Sequence, residues 1–265
     1  MGIFTRIFTR GIAATLLTSA FAFTDGCAND AAAMDYVETP LFAEKVAAGD
    51  MPGVAQRLPK GPSIVRMTEG KVIGRQGGAL RTLIGRAKDV RLFVVYGYAR
   101  LVGYNEKFEL LPDILKSVEV EEGRRFTFKL RPGHKWSDGH PFTAEDFRYW
   151  WEDIANERAL SPLGPAKKLI VAGEAPSVEI IGPYTIRYSW GSPNPHFLPA
   201  LASATPLYIY RPAHYLKKFH QRYADPEKLA ALVEKSGRRN WAALHNRQDN
   251  QYKNDNPDLP TLQPW

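Results

Sequence analysis

KLRPGHKWSDGHPFTAEDF, residues 129–147, packs two histidines, two aspartates, a glutamate and a tryptophan into nineteen positions. Such a cluster is either a chemical site or a set of instructions to the backbone. Read residue by residue, it is the second. Pro132-Gly133 occupies the two central positions of a type II turn, and Asp138-Gly139 is a strong turn signal of its own. Thr143 has the character of a helix N-cap, with Asp146 three residues on for the reciprocal bond. Phe142 and Phe147 flank that cap as a hydrophobic staple, and Glu145 and Asp146 sit where the helix dipole favours anions. Phe147, Trp150, Trp151 and Ile154 then follow the i, i+3, i+4, i+7 spacing of a buried helix face.

A metal site would need His134 and His140 to converge with Asp138, Glu145 or Asp146. These residues lie on separate turns without the short fixed spacings of zinc sites, and HExxH is absent. His196, His214, His220 and His245 belong to no motif either. There is no GxSxG, no GxxxxGK[ST] and no GxGxxG. The expectation is therefore no catalytic residue, no metal and no cofactor: not an enzyme. The net charge of +7 is spread in pairs such as Arg124–Arg125, Lys167–Lys168, Lys217–Lys218 and Arg238–Arg239. Nucleic acid would require a basic stripe with aromatics on one face, so no nucleic-acid partner is expected.

Outward from the central stretch, FTFKL (126–130) alternates in the manner of a strand and closes a hairpin with the Val118–Val120 region. VEII and TIRYSW form a second hairpin across Gly182-Pro183-Tyr184 over 178–190. Strands are also expected at 79–84, after Gly77-Gly78, and at Pro206–Tyr210. Short helices are expected near 212–222 and 226–236, the second opened by Pro226 and closed by Gly237. VRLFVVYGYARLV (90–102) reads as strand or helix, and Tyr96, Tyr98 and Tyr104 as pocket-lining or core residues. Residues 246–265 are poor in large apolar side chains and read as a disordered tail or a connector. Without strict βαβ alternation, the class is mixed α/β.

The N-terminus is basic, then apolar and uncharged over 11–23, too short for a membrane span. It fits an export signal within residues 1–33, with small-x-small cleavage sites at Ala20-Phe21-Ala22 and Ala31-Ala32-Ala33. Cys27 follows Gly26, but Thr24 and Asp25 fit a lipid-attachment motif poorly. Residues 34–61 read as an extension on the surface of the domain.

Taken together, FTFKLRPGHKWSDGHPFTAEDFRYWW resembles the signature of family 5 extracellular solute-binding proteins, the peptide-binding receptors of ABC importers. The matches are Phe128, Leu130, Arg131, Gly133, Trp136, Asp138, Gly139, Thr143, Ala144 and Asp146. Leu111-Pro112-Asp113-Ile114-Leu115 and Asn194-Pro195-His196-Phe197-Leu198 also look like the family, and the likeness covers about residues 76–265. It implies a two-lobed periplasmic-binding-protein fold of type II, exported to the periplasm. It implies peptide or a similar small solute as ligand, and ABC permease subunits in the inner membrane as partners. It makes 90–102 a helix. It divides the chain into 62–110 plus 195–265 as part of ligand-binding lobe I, and 111–194 as an inserted accessory domain. Ligand contacts are expected at Gly85, Arg86, Tyr96 and Tyr98. Members commonly run about twice this length, so a fragment lacking the second lobe is expected, the alternative being a periplasmic interaction or scaffold protein derived from one lobe.

Overall fold

The computed structural model describes residues 36–65, 67, 70, 72–79, 81–86, 89, 99–204, 206–251 and 255–262. The export signal, Cys27, Tyr96, Tyr98 and most of 90–102 therefore lie outside the described residues. At the centre is a four-stranded antiparallel sheet in the order β3-β4-β6-β5. Its strands are β3 (Leu115–Glu121), β4 (Arg125–Leu130), β5 (Ser177–Gly182) and β6 (Thr185–Ser189). Both expected hairpins are present, and they are joined through β4 and β6, with Phe126 opposite Tyr188 and Phe128 opposite Ile186. The alternation of β4 places Phe126, Phe128 and Leu130 in the core. Thr127, on the other face, is also buried, because the Arg187 guanidinium lies across it and donates from Nε to its hydroxyl at 3.1 Å. A smaller antiparallel pair, β1 (Val102–Tyr104) and β2 (Leu110–Pro112), precedes the sheet.

Two helices form the N-terminal extension, α1 (Pro40–Ala47) and α2 (Val54–Arg57), and neither buries a residue. Hydrogen bonds to backbone carbonyls tie residues 56–61 to the stretch 131–135. Lys60 N–H donates to the Pro132 carbonyl at 2.9 Å, and Arg131 Nη1 and Lys135 Nζ reach the Gly61 and Gln56 carbonyls at 2.7 Å each. At the Pro132-Gly133 turn, Gly133 takes the φ of +82° that a type II turn needs at its third residue.

The helix after the central stretch begins as α3 (Ala144–Arg148) and continues as a π-helix over Tyr149–Ala155. The wider π turn changes which side chains face inward. Phe147, Trp150 and Ile154 are buried as the 3.6-residue spacing predicts, but Tyr149 and Asp153 are buried as well and Trp151 is only partly covered. After β6 come α4 (Phe197–Ala202), α5 (Ala213–Leu216), α6 (Pro226–Lys235) and α7 (Trp241–Gln248). Gly237 closes α6 at φ +63°, and Asp225 caps its start by accepting from Lys228 N–H.

Three expectations are corrected. The described residues of 79–84 form no strand; they are exposed, Leu83 almost completely, and carry no ladder bonds. Pro206–Tyr210 is extended but forms no strand among the described residues: Leu207 N–H goes to the Ala200 carbonyl, and Ile209 and Tyr210 are buried. The helix expected over 212–222 stops early, since α5 tightens into a 3-10 turn that ends at Phe219. Finally, of the two readings of 246–265, the described residues fit the connector: 246–248 close α7, and 255–262 end in a strap with Pro260 buried and Leu259 and Leu262 packed on the core.

Candidate functional site

The turn Trp136–Gly139 ties three parts of the chain together, one through each of its first three side chains. The Trp136 indole donates to Asp146 Oδ2 in α3 at 3.2 Å. Ser137 exchanges two hydrogen bonds with Thr261 of the strap, giving its N–H to the Thr261 carbonyl at 2.9 Å and receiving the Thr261 N–H on Oγ at 3.0 Å. Asp138 Oδ2 accepts from His214 Nε2 of α5 at 2.7 Å, while its Oδ1 accepts the His140 N–H at 3.0 Å. Gly139, at φ +86°, completes the turn with its N–H on the Trp136 carbonyl at 2.9 Å.

Asp146 is the hub beneath this turn. Its Oδ2 also accepts the Thr143 N–H at 3.0 Å, and its Oδ1 accepts the Ala213 N–H at 3.1 Å. The Thr143 hydroxyl in turn accepts from Glu145 N–H, so the expected capping box is formed. Burial pushes the Asp146 carboxyl up to about 6, against the pull of the three donors. Replacing Thr143 with Ala removes only the hydroxyl side of the box, and thermal melts are expected to register a loss of about 1 kcal/mol.

The histidines do not gather around a common point. His134 is held edge-on to Phe142 at 5.6 Å, and burial lowers it to about 4. His140 is exposed and stacks on His214, rings 3.8 Å apart and 6° from parallel. Among the described residues, no group of three His, Cys, Asp or Glu side chains is placed to hold a metal ion.

A second polar cluster lies under the π-helix, and neither spacing nor composition signals it. Tyr149 Oη and His245 Nε2 are 2.8 Å apart, and both side chains are fully buried. The Asp153 carboxylate, also without exposure, accepts from Arg222, from Tyr223 Oη at 2.6 Å and from Arg148 Nη1 at 3.1 Å. His220 donates from Nε2 to the Asp153 carbonyl at 3.0 Å and accepts the Arg222 N–H on Nδ1 at 3.2 Å. Burial lowers His245 to about 3, so it stays neutral at any ordinary pH. These contacts tie α7 and the 220–223 loop to the π-helix; His245 Nδ1 is buried without a hydrogen-bond partner, and Arg222 and Tyr223 reach solvent at the cluster's edge.

Of the residues expected to contact ligand, Gly85 and Arg86 lie on an exposed bend closed by Asp89 N–H on the Arg86 carbonyl at 2.9 Å. Tyr96 and Tyr98 fall outside the described residues, and Tyr104 is half-exposed in β1 rather than in the core. The bend follows an extended segment whose apolar side chains, Ile64, Val65, Val72, Ile73 and Leu83 among them, face solvent. Arg100 and Asp113 join this region to the sheet. Arg100 gives its N–H to Asp113 Oδ2 and its Nε to the Ser203 carbonyl, each at 3.1 Å.

A sequence model of bacterial extracellular solute-binding proteins, family 5 (middle region), matches residues 109–258. The periplasmic alpha-galactoside-binding protein of Rhizobium meliloti is 32% identical over 215 residues, covering 72% of this chain and 30% of that protein. The periplasmic oligopeptide-binding protein OppA of Salmonella typhimurium is 27% identical over 132 residues, covering 44% of this chain and 24% of that one. Among solved structures, an oligopeptide-binding protein OppA superposes with a TM-score of 0.76 at 31% identity, covering 88% of this chain and 35% of that chain. The chain thus spans about a third of the length of the alpha-galactoside-binding protein and of the solved OppA, and its mixed α/β fold is part of theirs. It belongs to the bacterial extracellular solute-binding proteins of family 5.

Proposed function

We propose that this chain is part of an extracytoplasmic receptor that captures peptides and delivers them to the permease subunits of an ABC importer. The observation that carries the reading is the fold match to an oligopeptide-binding protein across 88% of this chain. The exposed apolar side chains Ile64, Val65, Val72, Ile73 and Leu83 support it as a surface that a second lobe would cover, with Gly85, Arg86, Tyr96 and Tyr98 proposed as the ligand contacts that follow. On this reading 111–194 would be the accessory domain, and 62–110 with 195–265 part of the ligand-binding lobe; the four-stranded sheet lies within 111–194. Main-chain bonding to an extended peptide needs no catalytic group.

A second ligand class has an observation in its favour. The relative matched over 72% of the chain is an alpha-galactoside-binding protein, and a solved neighbour at 25% identity and TM-score 0.52 holds stachyose. Titration calorimetry of the full-length gene product separates the two. Short peptide mixtures are expected to bind with Kd in the micromolar range or tighter, which is about −8 kcal/mol or more. Binding of raffinose-type sugars without peptide binding discards the peptide assignment. Binding of neither favours an interaction or scaffold protein built on the same lobe.

A further inference from the structure

The turn that ties α5 and the strap to α3 contains a chemically weak step. Asp138-Gly139 stands at its exposed end, and a glycine, lacking Cβ, leaves the backbone nitrogen after an aspartate unshielded. At such a step the Gly139 nitrogen can attack the side-chain carboxyl carbon of Asp138. The nitrogen gives up its hydrogen, the carboxyl gives up its hydroxyl, the two leave as water, and a five-membered succinimide closes. Water then reopens the ring at either carbonyl. One opening restores aspartate; the other leaves isoaspartate, in which the main chain runs through the side-chain carbon. Closure needs a free nitrogen and a protonated carboxyl, because an ionised carboxylate has no hydroxyl to lose.

The fold withholds both. Gly139 N–H is committed to the Trp136 carbonyl at 2.9 Å. Asp138 Oδ2 accepts from His214 Nε2 at 2.7 Å and Oδ1 accepts the His140 N–H at 3.0 Å, so each oxygen is held by a donor. Partial burial of this carboxyl opposes ionisation, but the bonds from His214 and His140 outweigh it and hold the group below the ordinary carboxylate range. His214 lies 76 residues further along the chain, so only the folded protein supplies its hydrogen bond. We propose that Asp138-Gly139 is a latent isomerisation site that the fold protects, with His214 as its guard. An isoaspartate there inserts a methylene into the main chain of the turn that holds both α5 and the strap.

Long incubation at neutral pH and physiological temperature tests the assignment. Trypsin cuts after Lys135 and Arg148, and chromatography of peptide 136–148 separates its aspartate and isoaspartate forms. A synthetic peptide of residues 136–148, which lacks both restraints, is expected to accumulate isoaspartate at Asp138 fastest, and the folded parent slowest. His214→Leu removes the donor and is expected to isomerise about tenfold faster than the parent, the worth of one charge-assisted hydrogen bond. His214→Gln, whose amide nitrogen can donate to the same carboxylate, is expected to stay near the parent rate, which separates the lost hydrogen bond from lost packing. Equal rates in the folded parent and the peptide overturn the proposal, whether or not the variants fold. A Leu variant as slow as the parent, or a Gln variant as fast as the Leu variant, overturns the role of His214.

Discussion

Asp146→Ala is expected to lower the unfolding free energy by about 4 kcal/mol, because three buried donors lose their acceptor at roughly 1–3 kcal/mol each. The donors come from three separate places: the Trp136 indole in the turn, the Thr143 N–H at the helix start and the Ala213 N–H at the head of α5. Their positions are also fixed by other contacts, such as Arg211 N–H on the Asp146 carbonyl at 3.1 Å, so they cannot all turn toward water. Urea melts measure the loss. Asp146→Asn should fall between the parent and Ala, since one amide oxygen replaces two carboxylate oxygens and the amide nitrogen faces donors. The two variants also separate by pH. The Asp146 carboxyl is held at about 6 against an ordinary 3.8. Between those values the folded chain binds a proton that the unfolded chain does not, so the stabilisation from this group falls as pH rises through that window. The Asn variant should lack that part of the slope. A loss below about 1 kcal/mol in the Ala variant would mean that water replaces the carboxylate and that the hub is not structural.

This hub explains why the central stretch was readable and other regions were not. Turn and cap chemistry is local: Pro132, Gly133, Gly139 and Thr143 act on neighbours within three or four residues, and each does in the structure what its type implies. The sheet was legible for the same reason, through the period-two pattern of FTFKL and the Gly182-Pro183-Tyr184 turn. What local pattern cannot carry is the partner from a distant segment. Nothing in the sequence marks Ser137 and Thr261 as a pair, or Tyr149 and His245, since their contacts arise only once α7 and the strap have docked. The π-helix defeats periodicity outright, because a wider turn buries Asp153 where an ordinary helix would expose it. Pro206–Tyr210 looked like a strand because β-branched and aromatic residues suit any buried extended segment, paired or not. The family could be read from the turn and cap because their residue types are specific. The ligand could not, because Gly85 and Arg86 lie beside an uncovered segment and carry no pattern that names what they touch.

The second large effect is expected from Phe197→Ala, a loss of about 4 kcal/mol. Phe197 comes from α4, after the last strand, yet its fully buried ring meets three rings of the sheet, Phe126 at 5.2 Å, Tyr188 at 5.3 Å and Phe128 at 5.7 Å, and Trp190 just past β6 at 4.9 Å. Truncation removes the ring and leaves a cavity lined by stiff aromatics on a paired sheet, a site that collapses poorly. Phe197→Leu refills most of the space and should lose less than half as much. The variant also bears on the domain reading. If 111–194 is an independent folding unit that 195–262 merely touches, the sheet should melt with its parental midpoint while the later helices are lost first. Buried residues from Leu101 through Ala242 instead belong to one continuous cluster that includes Phe197. The expectation is therefore a single shifted transition, followed together by tryptophan fluorescence near Trp190 and by far-ultraviolet circular dichroism. Two separated transitions in the variant would show that the segment after Asn194 folds on its own, and that the aromatic cluster joins two bodies rather than forming the core of one.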